Sequence, residues 1–399
     1  MRTIDKLDPN KLHGKRVLVR VDFNVPIQNG VITDDARITA ALPTINYLLD
    51  HDVKIILASH LGRPKGKFVQ EYSLAPVAKR LSEIIKQPVT MSNDCIGADV
   101  AKQVKALKNK DILLLENVRF YNEETENDPD FARKLAGLAD YFVHDAFGVA
   151  HRAHASTEGI AKFIPPYAGF LLKREIDVLN SVLQNPKRPF IAIVGGAKIS
   201  TKIGILKNLL NKVDTLIIGG GMTFAFLKAQ DIEIGKSLCD SEQLEEAKLF
   251  LKKTKSSSVK VIFPVDQVVV TDAKTDTATS IVDITNIPKD KMGVDIGPKT
   301  IALLHDEIQN AGTVLWNGPM GIFEKEPFSK GTFAIAKCLA ESNAFSIVCG
   351  GDSVAALTQA GYTNQIDHIS TGGGASLKFL EGETLPAEAI LEDESVYAR

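Results

Sequence analysis

Short apolar, β-branched runs alternate with longer amphipathic stretches along most of this chain. In the first half the runs are VLVRV (17–21), VKIILAS (53–59), DILLLEN (111–117) and YFVHDAF (141–147). In the second half they are FIAIVGG (190–196), TLIIGGG (215–221), VKVIFPV (259–265), GTVLWNG (312–318) and FSIVCGG (345–351). Several lack polar–apolar alternation, which suits strands buried on both faces. Between them lie helical stretches such as SLAPVAKRLSEIIK (73–86) and SEQLEEAKLFLKKTK (241–255). Strand–helix alternation predicts βαβ units and mainly parallel sheets. So many strands fit two sheets better than one. At 399 residues the chain is long enough for each sheet to own a core.

The best boundary is GFLLKREIDVLNSVLQNPKRP (169–189). Leu172, Ile176, Leu179 and Leu183 recur at helical spacing, and Pro186 and Pro189 then stop the helix. The predicted organisation is a first domain over 1–170, a connecting helix over 171–188 and a second domain over 189–375. The segment 376–399 is polar, with no clear strand, and is expected to return toward the first domain.

A net charge of −2 argues against a general nucleic-acid or membrane-surface binder. The four cysteines form no CxxC and no Cys/His grouping of zinc spacing, so they read as thiols in a reducing compartment. The N-terminus MRTIDKLDPNKLHGK has no apolar core of a signal peptide. No apolar run reaches the ~18 residues a spanning helix needs. A cytoplasmic protein is expected.

In an open parallel sheet, ligands bind beyond the carboxyl ends of the strands. In the first half those ends carry Asp22 and Asn24, His60 and Arg63, Asn117 and Arg119, then Asp145, His151 and Arg152. In the second half they carry glycine: Gly195–Gly196, Gly219–Gly221, Gly318 and Gly350–Gly351. A further triple, Gly372–Gly374, precedes a predicted helix. Glycine lets a ligand approach the backbone, and a following helix offers free N–H groups to phosphate. The loop after FIAIVGG is neither GxxxxGK[ST] nor GxGxxG, because Lys198 follows Gly196 by only two residues.

Arginine use splits the same way. Eleven of the twelve arginines lie at or before Arg188, and the last is Arg399. Arginine grips carboxylate or phosphate with two parallel hydrogen bonds, whereas lysine acts as a movable point charge. The first half therefore reads as a cage for a small, multiply charged anion. The second reads as a backbone-and-lysine cradle for a nucleotide. A single arginine after a strand is ordinarily a surface residue, but successive ones at equivalent places weaken that explanation. His144 and His154 read equally as structural histidines. Asp352 reads as a helix N-cap or as a magnesium carboxylate. On pattern alone Glu324 is a surface charge.

Assembled in order, these segments resemble the phosphoglycerate kinase family, from VRVDFNVP (19–26) through TGGGASL (371–377). The markers are DFNVP (22–26), HLGRP (60–64), ENVRF (116–120), HRAHAST (151–157), GGAKISTK (195–202), WNGPMGIFE (316–324), GGDS (350–353) and STGGGAS (370–376). The length fits the shorter, bacterial-type members. The resemblance implies an α/β fold: two Rossmann-like parallel-sheet domains joined by a helix, a hinge-bending bilobal kinase. It implies reversible phosphoryl transfer in which 1,3-bisphosphoglycerate and MgADP give 3-phosphoglycerate and MgATP.

By resemblance, Asp22, Phe23, Asn24, Arg37, His60, Leu61, Gly62, Arg63, Arg119 and Arg152 hold the phosphoglycerate. Gly196, Lys202, Gly293, Asn317, Glu324, Gly350, Gly351, Asp352 and Ser353 hold the nucleotide. Glu324 takes the ribose, and Asp352 takes the magnesium that the nucleotide carries. The acceptor is a carboxylate already ionised at pH 7, so no general base is expected. Catalysis then rests on positive charge and N–H donors around the group in flight. The candidates are Arg37, Lys198, Gly372 and Gly373. Partners are these small molecules, with neither nucleic acid nor membrane, and a monomer suffices. The rival readings are an NAD-dependent oxidoreductase, which lacks GxGxxG after the first strand, and a non-catalytic nucleotide-binding protein.

Overall fold

VLVRV forms a central strand of a parallel sheet in the computed structural model, which describes residues 1–274 and 279–393. The chain divides into two compact units. One is Met1–Asp177 together with the segment from Thr384, and the other is Val178–Glu383.

The first unit contains strands β1 (Arg16–Val21), β2 (Ile27–Gln28), β3 (Val31–Ile32), β4 (Lys54–Ala58), β5 (Val89–Met91), β6 (Ile112–Leu114), β7 (Tyr141–Asp145) and β8 (Pro166–Ala168). Six of them form one sheet in the order β5-β6-β4-β1-β7-β8, with every pair parallel. Successive side chains point to opposite faces. Val17, Val19 and Val21 therefore enter one core with Ile55 and Leu57, while Leu18 enters the other with Ile56, Leu113 and Phe142. Burial on both faces is why these runs show no alternation. β2 and β3 pair antiparallel as a separate hairpin.

GFLLKREIDVLNSVLQ forms the helix Phe170–Gln184. Leu172, Ile176, Leu179 and Val182 are its buried apolar positions, Glu175 is buried with them, and Leu183 is half-buried. Asp145, at the end of β7, accepts the backbone N–H groups of Leu171 (2.9 Å) and Leu172 (3.1 Å), and Thr44 Oγ1 accepts that of Phe170 (2.9 Å). Those donors have no partner inside the helix, so the carboxylate and hydroxyl satisfy its first turn.

The second unit contains β9 (Phe190–Val194), β10 (Thr215–Ile218), β11 (Lys260–Ile262), β12 (Asp266–Val270), β13 (Ser280–Asp283), β14 (Met292–Ile296), β15 (Thr313–Asn317), β16 (Phe345–Cys349) and β17 (His368–Ile369). Its six-stranded parallel sheet runs β11-β10-β9-β15-β16-β17. A second sheet, β13-β12-β14, is antiparallel and was not foreseen in the sequence pattern. Opposite β12 the register slips between Val268 and Val269, so that they face Asp295 and Gly293 and leave Val294 as the extra residue. Such a bulge bends a strand and re-aims its side chains.

After Gly373 come two helices, Gly374–Leu380 and Pro386–Glu392. The second belongs to the first unit: Ala387 N donates to Ala150 O at 3.1 Å, and Arg2 N to Leu391 O at 3.4 Å. Residues 394–399 of the expected C-terminal segment, Arg399 included, lie outside the described residues. No helix among the described residues is long and apolar enough to cross a membrane.

Candidate active site

On the first unit, the chain leaves the sheet at Val21 and at once presents Asp22, Phe23 and Asn24. Phe23 is fully buried, and its N–H donates to Ser59 Oγ at 2.9 Å, which pins the turn to the end of β4. Asp22 Oδ2 accepts from Arg37 Nη1 at 2.6 Å. Asn24 Oδ1 accepts from Gly62 N at 2.9 Å, and Gly62 O accepts from Arg119 Nη1 at 2.9 Å. Asn117 Nδ2 donates to Leu61 O at 2.7 Å. The SHLGRP loop is thus held from β1 on one side and from the turn after β6 on the other. Gly62 has φ +62°, and a Cβ there would lie 2.3 Å from the Tyr72 ring, so the loop tolerates only glycine. Arg63 is exposed on the same loop. Arg152, after β7, donates from Nε to His151 Nε2 at 3.3 Å.

Pattern reading missed Arg20. It is wholly buried, and its Nη2 lies 3.3 Å from His60 Nδ1. Arg20, Arg37, Arg119 and Arg152 all press on His60, whose pKa is held well below its usual range, by burial first and then by these cations. Burial and the charges of Arg119, Arg20 and Arg152 lower His154 to about 3. Arg119 itself is pulled down to about 10, by burial and then by Arg20 and Arg152. Its Nε and Nη2 are buried with no hydrogen-bond partner. Buried cationic donors left unpaired are costly, and a bound anion would satisfy them.

On the second unit, the glycines allow backbones to touch. Gly196 (φ +127°) donates to Pro319 O at 3.1 Å, and a Cβ on Gly195 would lie 2.2 Å from that same oxygen. Lys202 Nζ donates to Asn317 Oδ1, and Asn317 Nδ2 donates to Cys349 O at 2.9 Å. Gly318 N donates to Ser353 Oγ at 2.6 Å. Burial lowers the Lys202 pKa, while Asp352 acts in the opposite direction. Gly350 (φ +92°) opens the helix Gly351–Ala360, with Gly351 and Asp352 exposed in its first turn.

A cleft of about 340 Å³ lies beside this network. Gly196, Gly293, Glu324 and Asp352 line it together with Phe224, Leu238 and Met320, which the sequence pattern did not single out. The bulged strand β14 supplies Gly293, Val294 and Asp295 to one wall. Asp295 is buried and its pKa is pushed up to about 7, by burial against the opposing pull of the Gly331 and Ile296 N–H groups. An apolar cleft with a few convergent polar groups is the usual form of a small-molecule site.

Lys198, Gly372 and Gly373 do not line this cleft. Lys198 is exposed and, after the Gln243 N–H, helps hold the Asp240 carboxyl below its usual range. Gly372 N donates to Ser370 Oγ at 3.2 Å, and Gly373 (φ +47°) precedes the helix Gly374–Leu380.

Comparison with known proteins identifies the family. The family model "Phosphoglycerate kinase" matches residues 5–383. A phosphoglycerate kinase of Dictyoglomus turgidum is 56% identical over 394 residues, covering 98% of this chain and 99% of that protein. One from Moorella thermoacetica is 52% identical over 96% of this chain and 98% of its own length. The solved structure of phosphoglycerate kinase from Coxiella burnetii superimposes with a TM-score of 0.87 at 45% identity, covering 98% of each chain. Both parallel sheets, and nearly the whole length, are accounted for by one relationship: the chain belongs to the phosphoglycerate kinase family.

Proposed function

We propose that the arginine-lined edge of the first unit holds the phosphoglycerate and the glycine-lined cleft of the second holds the nucleotide. The reaction is the family's own: a phosphoryl group passes reversibly between 1,3-bisphosphoglycerate and ADP, giving 3-phosphoglycerate and ATP in glycolysis. The observation that carries the phosphoglycerate assignment is Arg119, with two buried donors unpaired amid further cations. A small, multiply charged anion satisfies those donors. Asp22 restrains Arg37, Asn24 shapes the Gly62 loop, and exposed Arg63 is free to turn toward the ligand.

On the nucleotide side, Glu324 meets the ribose in the cleft, and Lys202, displaced from Asn317, meets the phosphates. The N–H groups opening the Gly351–Ala360 helix receive phosphate oxygens. Among the described residues no group of three or more His, Cys, Asp or Glu could hold a metal ion. Asp352, exposed in the first turn of the Gly351–Ala360 helix and lining the cleft, would hold the magnesium that the nucleotide carries. When bound, magnesium neutralises charge on the phosphate chain.

The acceptor is an ionised carboxylate, so the protein's task is positioning and charge. Arg37, Lys198 and the Gly372–Gly373 turn supply cations and N–H donors to the transferring group. Transfer requires the reacting atoms to approach within about 3–3.5 Å, so the units close as both ligands bind. All of these residues lie in one chain, which acts as a cytoplasmic monomer. A coupled assay of 3-phosphoglycerate-dependent ATP consumption tests the reading. Solution scattering with both ligands tests closure, and an unchanged radius of gyration would count against it.

A further inference from the structure

β1 carries a guanidinium where its neighbours carry aliphatic side chains. Arg20 shares a face with Leu18 and is wholly buried. A buried charge costs several kcal/mol unless it is paired and hydrogen-bonded. Its Nε donates to Ser156 Oγ at 2.8 Å, and that hydroxyl donates to Glu124 Oε1 at 2.7 Å. Glu124 Oε2 accepts the Ser156 N–H at 2.9 Å, and Glu124 too is wholly buried. The larger counter-charge to Arg20, Glu124, is thus delivered through one hydroxyl, and Asp22 is the second carboxylate that acts on it. Nη1 donates to the Val21 carbonyl.

The remaining arm of Arg20 points at His60, with Nη2 3.3 Å from Nδ1. A guanidinium has donors only, so Nδ1 must present its lone pair. The proton of the neutral ring then sits on Nε2. Asp22 Oδ1 lies 3.8 Å from the same Nδ1, beyond hydrogen-bond reach. The other charged groups around the ring, Arg37, Arg119 and Arg152, are all cations and oppose its protonation.

We infer that Glu124 and Ser156 are positioning residues that, through Arg20, fix His60 as the neutral Nε2–H tautomer. His60 then meets the phosphoglycerate as a hydrogen-bond donor and not as another cation. The inference deepens the substrate assignment above and rests on it.

The test is nitrogen-15 NMR of histidine-labelled full-length protein, with His60 assigned by comparison with His60→Gln. Without ligand, His60 should show the neutral Nε2–H pattern from about pH 5 to 8, where free histidine titrates. In Ser156→Ala that pattern should give way to tautomer exchange. The KM for 3-phosphoglycerate should rise about 3–10-fold, the scale of one net hydrogen bond, with the KM for ATP unchanged. Ser156→Thr, which keeps the hydroxyl, should restore both. If Ser156→Ala does not fold, Glu124→Gln, which keeps the shape and loses the charge, should move the same readouts in the same direction. A doubly protonated or Nδ1–H His60 in the unaltered protein would overturn the inference. So would variants that melt lower but keep both the tautomer and the KM. An Nε2–H His60 whose resonances ignore added 3-phosphoglycerate would sink the substrate assignment, and with it the donor role.

Discussion

Asp145 Oδ1 accepts the backbone N–H of Leu171 at 2.9 Å and so ties the end of β7 to the first turn of the Phe170–Gln184 helix. Burial raises this carboxyl from 3.8 to about 7, against the pull of its hydrogen bonds from Thr44, Leu172 and Leu171. The folded state therefore holds the proton more tightly than the unfolded chain. That contribution is fully present below the unfolded value and is lost as pH rises through the folded one. Asp295 has the same sign. Asp145→Asn should show a smaller fall in Tm than the unaltered protein between about pH 4 and 7. Thermal melts across that range decide it, and an equal fall removes Asp145 as a source.

Lys198→Ala and Arg37→Ala should each cut kcat by roughly 10²–10³, the scale for losing one preorganised donor, and raise KM far less. Lys198 is exposed, so its loss should leave the melting temperature nearly unchanged. Steady-state kinetics with both substrates varied is the measurement. A near-normal kcat strikes that residue from the catalytic set.

Asn317 stands between two groups that both need it: Lys202 Nζ donates to its oxygen, and its Nδ2 donates to Cys349 O at 2.9 Å. Asn317→Ala removes the hydrogen bond to the Cys349 carbonyl and should cost about 0.5–1.5 kcal/mol of stability. The KM for ATP should rise while that for 3-phosphoglycerate stays. Urea unfolding and two-substrate kinetics separate the two effects, and an unmoved ATP KM argues against Asn317 shaping the phosphate site.

Gly318 has φ +103°, and a Cβ there would fall 2.1 Å from Gly195 O. Both atoms are held by main chain, so Gly318→Ala must distort the β9–β15 junction. The expected loss is on the order of 2–3 kcal/mol, with weaker nucleotide binding. Calorimetry against ADP would show whether the cleft is reshaped; unchanged affinity in a folded variant would mean that it is not.

All the apolar runs read from the chain coincide with strands of the two parallel sheets, because burial on both faces writes itself into composition. The edge strands β5, β8 and β17 are two or three residues long and leave no pattern. The antiparallel sheet escaped for another reason. In β13 half-buried and exposed positions alternate, and the polar ends Ser280 and Asp283 mask the strand. The bulge opposite Val268 depends on a pairing partner that no single segment reveals. In the site, residues just past strand ends were legible. Arg20 was not, because it lies inside its strand. Glu124 was not, because nothing in the NEET segment shows that Ser156 packs beside it. Phe224, Leu238 and Met320 are ordinary apolar residues whose shared cleft exists only in three dimensions.

The short helix Pro386–Glu392 belongs to the same unit as β1, although all of Val178–Glu383 intervenes. On the ribosome this orders events. The second unit is made as one continuous stretch, whereas the first is not. The first unit stays incomplete, with the Ala150 carbonyl lacking its Ala387 donor, until that helix has been made and has left the ribosome. A nascent chain held with Pro386–Glu392 still inside the exit tunnel should then expose an incomplete first unit to chaperones.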